Sequence, residues 1–538
     1  MPGVPDVKLD SYYGYDELTA YLKEAAEAAP ELMQLGELLT TPEGRKVWLA
    51  EVTDASTGPG AEKPGYYVHG NMHAQELAGA TVSLHLLQAL LTDDAFEELR
   101  RKVVFYIVPR VNPDGAEYAF RTGGPIRSRF DVIPKKNGLV PEDLNGDGLV
   151  LQMRWEDPAG RYKEDDEDPR LMVPRRAGDT DGPFYQVHHE GLIQDYDGGP
   201  IASGIRSHDF NRNWPMNWSP EHEQHGASDY PFAQPEMHAV GTFMLEHRNI
   251  FAGIDFHCGS NSILRPSGVP DEEMDQGDLR LILEIGKIAE ELTGFPLLAT
   301  RDYRESWRKV IQLKGSSNSW AHQQLGISWY VIELGNSVNS AGVPTKEFLE
   351  ADSETREREY KRKVLAFADE HPDMNPFVPW EEFEHPQLGR VEIGGVKQWE
   401  MFIPYAGDMQ EIAPNTTEFI RQHAGRHPEL VLSDVTADAV AEGLYRIRAT
   451  AANVGAFSTC VMQAGRNVAS NEPVRVRLTG IDDDAVLSRA GLHELPALSG
   501  LGGREQFEWF VKAKAGSTMT VEAANPRGGI AREELRLE

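Results

Sequence analysis

"KPGYYVHGNMHAQELAGATVSLHLLQALL", residues 63–91, is the stretch whose reading decides the fold. It opens as strand text, with aromatic and β-branched residues behind a proline. It closes on apolar residues at helical spacing. A strand running straight into a helix is half of a βαβ unit. Between the two, "HGNMHAQE" (69–76) sets two histidines and a glutamate at the carboxyl end of the strand, where open α/β sheets build their sites. The question is whether His73 and Glu76 hold a metal, and what else would complete that site.

The alternation continues on both sides. "GYDELTAYLKEAAEA" predicts a helix capped near Asp16, and "RKVWLAEVT" and "RKVVFYIVPRV" predict strands. Further on, "QPEMHAVGTFMLEH", "LRLILEIGKIAEELTG" and "SSNSWAHQQLG" are helical, while "IFAGIDFH" and "SWYVIEL" are strands. Near-continuous apolar strands between helices predict an α/β fold, a mostly parallel mixed twisted sheet flanked by helices. Residues 122–208 break the pattern with polar text rich in Gly and Pro, and predict an insertion near the functional face with some structure of its own. "TKEFLEADSETREREYKRKVLAFADEH" (345–371) reads as one helix. The chain divides into a domain over 1–385 that carries the chemistry, an ordered extension or linker over 386–427, and a small antiparallel β-sandwich over 428–538.

A length of 538 residues exceeds one ordinary core, which agrees with that division. Charge is −32, from 53 basic and 85 acidic residues, and this argues against nucleic acid and anionic membrane surfaces as partners. No run approaches the roughly 18 apolar residues of a membrane span. The start, "MPGVPDVKLDSYYGYDE", lacks the basic and apolar regions of a signal peptide, and the two cysteines, Cys258 and Cys460, form no disulfide framework. The expectation is a cytoplasmic protein.

The residues behind each predicted strand carry the chemistry. His73 and Glu76 follow "GYYV", "NPDG" (112–115) follows "VVFYIVPRV", His257 ends "IFAGIDFH", and Glu333 ends "SWYVI". Catalytic zinc takes three protein ligands from His, Asp or Glu and keeps one position for water. His73, Glu76 and His257 supply such a set, and Glu333 is then free as general base. His69 is left to strand-end packing. "NPDG" alone reads as a turn.

In order along the chain, "HAQE" (73–76), "NPDG" (112–115), "DFNRNW" (209–214), "DFHCGSN" (255–261) and "YVIELGN" (330–336) resemble the signature of zinc metallocarboxypeptidases of the carboxypeptidase A and B type, over roughly residues 12–370. The resemblance implies that fold for the first domain and zinc on His73, Glu76 and His257. It also implies a zinc-bound water activated by Glu333 that hydrolyses the C-terminal peptide bond of a peptide or peptide-like substrate with a free carboxylate. Asn211 and Arg212 would hold that carboxylate, and Asp209 would fix the second ring nitrogen of His73. Arg127 would polarise the scissile carbonyl, with Arg129 as the neighbouring candidate.

The pattern departs from the family at three places. Gln75 stands for the arginine inside the H-x-x-E motif, and Ile311 for the tyrosine that closes over substrate, with Tyr303 or an insertion residue as its replacement. The pocket floor falls on Asn318, which points to a polar neutral or unusual terminal residue. In the insertion, "DLNGDG" (143–148) resembles the start of a calcium loop, with Asp143, Asn145 and Asp147 as ligands. Two rival readings stand beside the peptidase: an amidohydrolase on acylated amino acids or cell-wall peptides, and a non-catalytic binding protein.

Overall fold

The computed structural model describes residues 3–266, 269–303, 314–488 and 491–538. Its centre is an eight-stranded sheet made of β1 (Met33–Thr40), β2 (Lys46–Val52), β3 (Gly65–Gly70), β4 (Val104–Val108), β5 (Ile250–His257), β6 (Asn261–Arg265), β7 (Leu297–Ala299) and β8 (Ser328–Leu334). The spatial order is β1-β2-β4-β3-β5-β8-β6-β7. The four inner strands β4, β3, β5 and β8 run parallel, while β1, β2 and β6 pair antiparallel toward the edges. β3, β5 and β8 are buried along their whole length, as strands covered on both faces must be.

One face is covered by α1 (Tyr15–Ala28), α2 (Ala78–Thr92), α5 (Gln276–Thr293) and α6 (Met409–Ala424). The other carries α4 (Pro235–Glu246) with Phe210, Trp214 and Trp320. α2 lies close on β3 because Gly70 and Gly79 face each other. A Cβ on Gly70 would come within 2.8 Å of the Gly79 backbone. "NPDG" turns out to open a helix, α3 (Pro113–Thr122), rather than only a turn. Asn112 caps it by accepting from Gly115 N, and Pro113 takes the first position, where a missing N–H costs nothing.

The insertion and the extension form one structure. Gly389–Val396, from the stretch expected as extension or linker, pairs with Gln152–Glu156 of the insertion. Together they build a six-stranded sheet that also holds Tyr185–His189 and Phe377–His385. The extension then supplies α6, which packs on α2 and α5. It is therefore part of the main body and not a linker. The single helix expected over 345–371 breaks at Ala351, which is extended, and restarts where Asp352 caps Thr355 N. The last segment folds as two antiparallel sheets around Ile447, Trp509 and Val521. Cys258 lies in the sheet domain and Cys460 in this last segment; both are free and buried.

Candidate active site

The parallel register places the chemistry before any side chain is considered. His257 on β5 is the register partner of Glu333 on β8, and His69 on β3 is the partner of Asp255 on β5. Residues two apart share a strand face, so Asp255 and His257 point the same way. His73 and Glu76 sit in the turn from β3 to α2. Ala74 N donates to Arg127 O (2.8 Å), and Asn112 Nδ2 donates to Ser128 O (2.6 Å) and Met72 O (3.3 Å). Asn112 thus ties the turn that carries His73 to the strand entry that carries Arg127.

His73 Nδ1 and His257 Nδ1 lie 3.0 Å apart, and each is 2.9 Å from an oxygen of Glu76. All three residues are buried, with their ligand atoms within 4.8 Å of one another. The outer nitrogens are held by carboxylates: His73 Nε2 by Asp209 Oδ1 (2.9 Å) and His257 Nε2 by Asp255 Oδ2 (3.0 Å). A carboxylate on Nε2 keeps the ring proton there and turns the Nδ1 lone pair inward. Two imidazole nitrogens and one carboxylate oxygen, aimed at one point, form the donor set of a catalytic zinc site. The residues present fit that ion.

The charges around the cluster reinforce one another. Burial by itself would raise the Glu76 carboxyl, but His73, Arg127 and His257 outweigh it and hold the group well below the usual carboxylate range. Asp209 is likewise pushed up by burial and brought well below by Arg212, His73 and Arg127. His257 is lowered by burial but held well above its ordinary value by Asp255 and Glu76.

Arg127 is the arginine that faces the cluster, donating to Glu76 Oε1 (2.7 Å) and Asp209 Oδ2 (3.4 Å). Arg129 turns away to buried Glu236 and to Gln234 Oε1 (3.1 Å), so it stands outside the site. Asn211 Nδ2 lies 3.2 Å from His257 Nε2, and its Oδ1 accepts from Ser317 N (2.9 Å). Arg212 lines the same cavity, a space of about 1340 Å³ that also takes in Gln75, Glu333 and Asn318. Insertion residues such as His188, His189 and Tyr162 wall that cavity, with Met401 and Phe402 from the extension. Gly259, at φ +146, leaves room beside Glu333: a Cβ there would sit 3.5 Å from Glu333 Oε2 and 3.6 Å from the Tyr303 hydroxyl. Tyr303 is therefore at the site. Ile311 lies outside the described residues.

One outcome differs from the sequence reading. His69 is more than packing: its Nε2 lies 2.9 Å from Asp255 Oδ1. Asp255 itself was not singled out, although "IDFH" places it one strand repeat before His257. The loop of Asp143, Asn145 and Asp147 uses these side chains to accept from its own backbone N–H groups, at Gly146 and Gly148, Asp147, and Leu149.

A family model described as zinc carboxypeptidase matches residues 18–358, and one described as a domain of unknown function matches 429–536. Carboxypeptidase B of Astacus astacus is 24% identical over 366 residues, 64% of this chain and 94% of that protein. Zinc carboxypeptidase A 1 of Anopheles gambiae is 32% identical over 365 residues, 64% of this chain and 66% of that protein. The crystal structure of carboxypeptidase A from Helicoverpa armigera aligns at a TM-score of 0.40 and 19% identity, over 67% of this chain and 74% of that one.

Proposed function

The chain belongs to the zinc carboxypeptidase family of peptidases, and from that premise we propose that it removes the C-terminal residue of a peptide or peptide-like substrate at the His73–Glu76–His257 centre. The observation that carries the reading is the convergence of those ligand atoms within 4.8 Å, with Glu333 on the neighbouring strand at the register position of His257. When bound there, zinc supplies Lewis acidity toward the scissile carbonyl and the attacking water.

The chain's own groups do the rest. Arg212 and Asn211 line the cavity as the anchor for the terminal carboxylate; a guanidinium can bind it in two parallel hydrogen bonds. The anchor holds the last peptide bond against the cluster and leaves the released residue's side chain to the pocket beyond. Glu333 takes a proton from the attacking water and delivers it to the leaving amine, so one carboxylate serves as base and then acid. Arg127 stabilises the negative charge that develops on the carbonyl oxygen. Asp209 and Asp255 hold the two imidazoles in the tautomer the site needs.

The test is a peptide-library digest read by mass spectrometry, with zinc measured on the same sample and acyl amino acids assayed in parallel. Loss of single C-terminal residues is expected. Glu333→Gln should lower turnover by about 10²–10⁴-fold while zinc stays bound. A variant that keeps full activity would sink this assignment.

A further inference from the structure

Asn318 stands in the cavity wall on the short helix Ser317–Trp320 and is 1% exposed. Its Nδ2 donates to Leu264 O (3.3 Å) and to Thr300 Oγ1 (2.7 Å). A backbone carbonyl can only accept, so the contact with Leu264 fixes which end of the amide is nitrogen. The Thr300 hydroxyl gives its own hydrogen to Arg265 O (2.8 Å). Asn318 Oδ1, by contrast, has no hydrogen-bond partner among the described residues. A staple between β6 and the end of β7 accounts for the nitrogen. It does not account for a buried acceptor left unmatched in the wall of a binding cavity.

The surrounding charges restrict what could match it. Among the described residues that line the cavity, the carboxylates are Glu333 and Glu357. Glu333 is the proton carrier, and Glu357 is paired with Lys361. Leu264 and Thr300 are each followed by an arginine: Arg265 is paired with Asp271, and Arg301 with Asp302. A cationic side chain entering here would meet Arg301 and, among the described residues, no spare carboxylate. An anionic one would set its oxygens against Asn318 Oδ1, acceptor against acceptor. An aliphatic one would leave the buried oxygen unmatched. A neutral carboxamide brings an N–H donor and no charge.

We propose that the pocket selects a C-terminal glutamine or asparagine, with Asn318 Oδ1 accepting a hydrogen bond from the carboxamide of the residue to be released. This rests on the carboxypeptidase reading above and names its substrate class. The test compares kcat/KM of the full-length zinc-loaded protein on benzoyl-glycyl dipeptides ending in Gln, Asn, Glu, Leu and Lys. Gln or Asn should exceed the other three by about tenfold or more. In Asn318→Leu the ratio of Gln to Leu should fall to about one, and in Asn318→Asp cleavage before Lys should rise relative to Gln. Zinc content and unfolding midpoint, measured on both variants, separate lost recognition from lost fold, and the wild-type series decides even where a variant does not fold. Leu, Glu or Lys released as well as Gln by the wild type overturns the proposal and leaves the peptidase reading standing. So does an Asn318→Leu variant that keeps the ratio. Release of no residue from any of the five takes down the peptidase reading and this inference with it.

Discussion

Asp255 gathers three groups at one buried carboxylate. It accepts from His257 Nε2 (3.0 Å) and from Ser317 Oγ (2.5 Å), and its other oxygen faces His69 Nε2 at 2.9 Å. Ser317 in turn holds Asn211 through its backbone N–H, so one carboxylate links a member of the proposed zinc set, the pocket helix and the proposed anchor residue. Asp255→Asn keeps the shape but can present an amide N–H where the ring N–H needs an acceptor. Zinc affinity should fall by about 10–100-fold, read by competition with a chromophoric chelator. Unchanged affinity would reduce Asp255 to a packing residue. The sequence made His73, Glu76, His257 and Glu333 legible because each lies behind a recognisable strand. Asp255 was not, because its role depends on strand phase and on register with His69, two facts that arise only once β3 and β5 pair. The sequence favours Arg127 over Arg129 only by spacing, because the group that turns Arg129 away is Glu236, a partner 107 residues from it.

At the scale of elements, α6 joins the sheet through one histidine. His423 meets the Tyr66 hydroxyl at Nδ1 and the Ser328 hydroxyl at Nε2, both at 2.8 Å, so it bridges β3 to the start of β8, the strand that carries Glu333. Burial pushes its pKa down to about 3, and burial pushes His322, next to the pocket helix, down to about 4. Both values lie below the roughly 6.5 of an unfolded histidine. The unfolded chain therefore takes up these protons first. The stability tied to the two neutral rings is complete above about pH 6.5 and declines as pH falls toward the folded values. By pH 5 each ring should have cost ~2 kcal/mol. Urea unfolding at pH 8 and pH 5 checks this, and equal midpoints would contradict it. None of this was readable beforehand, since "MQEIAPNTTEFIRQHA" has a proline inside and lies in a stretch expected as linker or extension. The long strands and helices of the main sheet were readable, because their apolar runs are long enough to show a period. The insertion's strands span two to five residues, too short for one, and the partners of its sheet come from residues 377–396.

Across the whole molecule, the unexpected contact is the one between the C-terminal sandwich and the pocket helix. Arg527 is 3% exposed, and its guanidinium donates to Leu325 O (2.6 Å) and Cys460 O (3.2 Å). Ser470 Oγ donates to the same Leu325 carbonyl (3.2 Å), and Asp278 on α5 accepts from Gln463 N and Ala464 N. Leu325 closes the segment that begins with Ser317 and Asn318, and β8 with Glu333 follows directly. From sequence, residues 428–538 read as a small β-sandwich set apart from the domain that carries the chemistry. The contact makes it a brace on the segment that connects the pocket helix to β8. Burial pushes the Arg527 pKa down to about 10, which still leaves it charged at neutral pH. Arg527→Met would fill the space but leave carbonyls at the domain junction without donors, at ~3 kcal/mol. The unfolding midpoint should drop, and Arg527→Lys should restore part of it. If the brace also positions the pocket, kcat/KM at temperatures well below that midpoint should fall in the Met variant while bound zinc stays at one equivalent. A Met variant that melts early but cleaves normally in the cold would confine Arg527 to stability and return the sandwich to the role of an independent module.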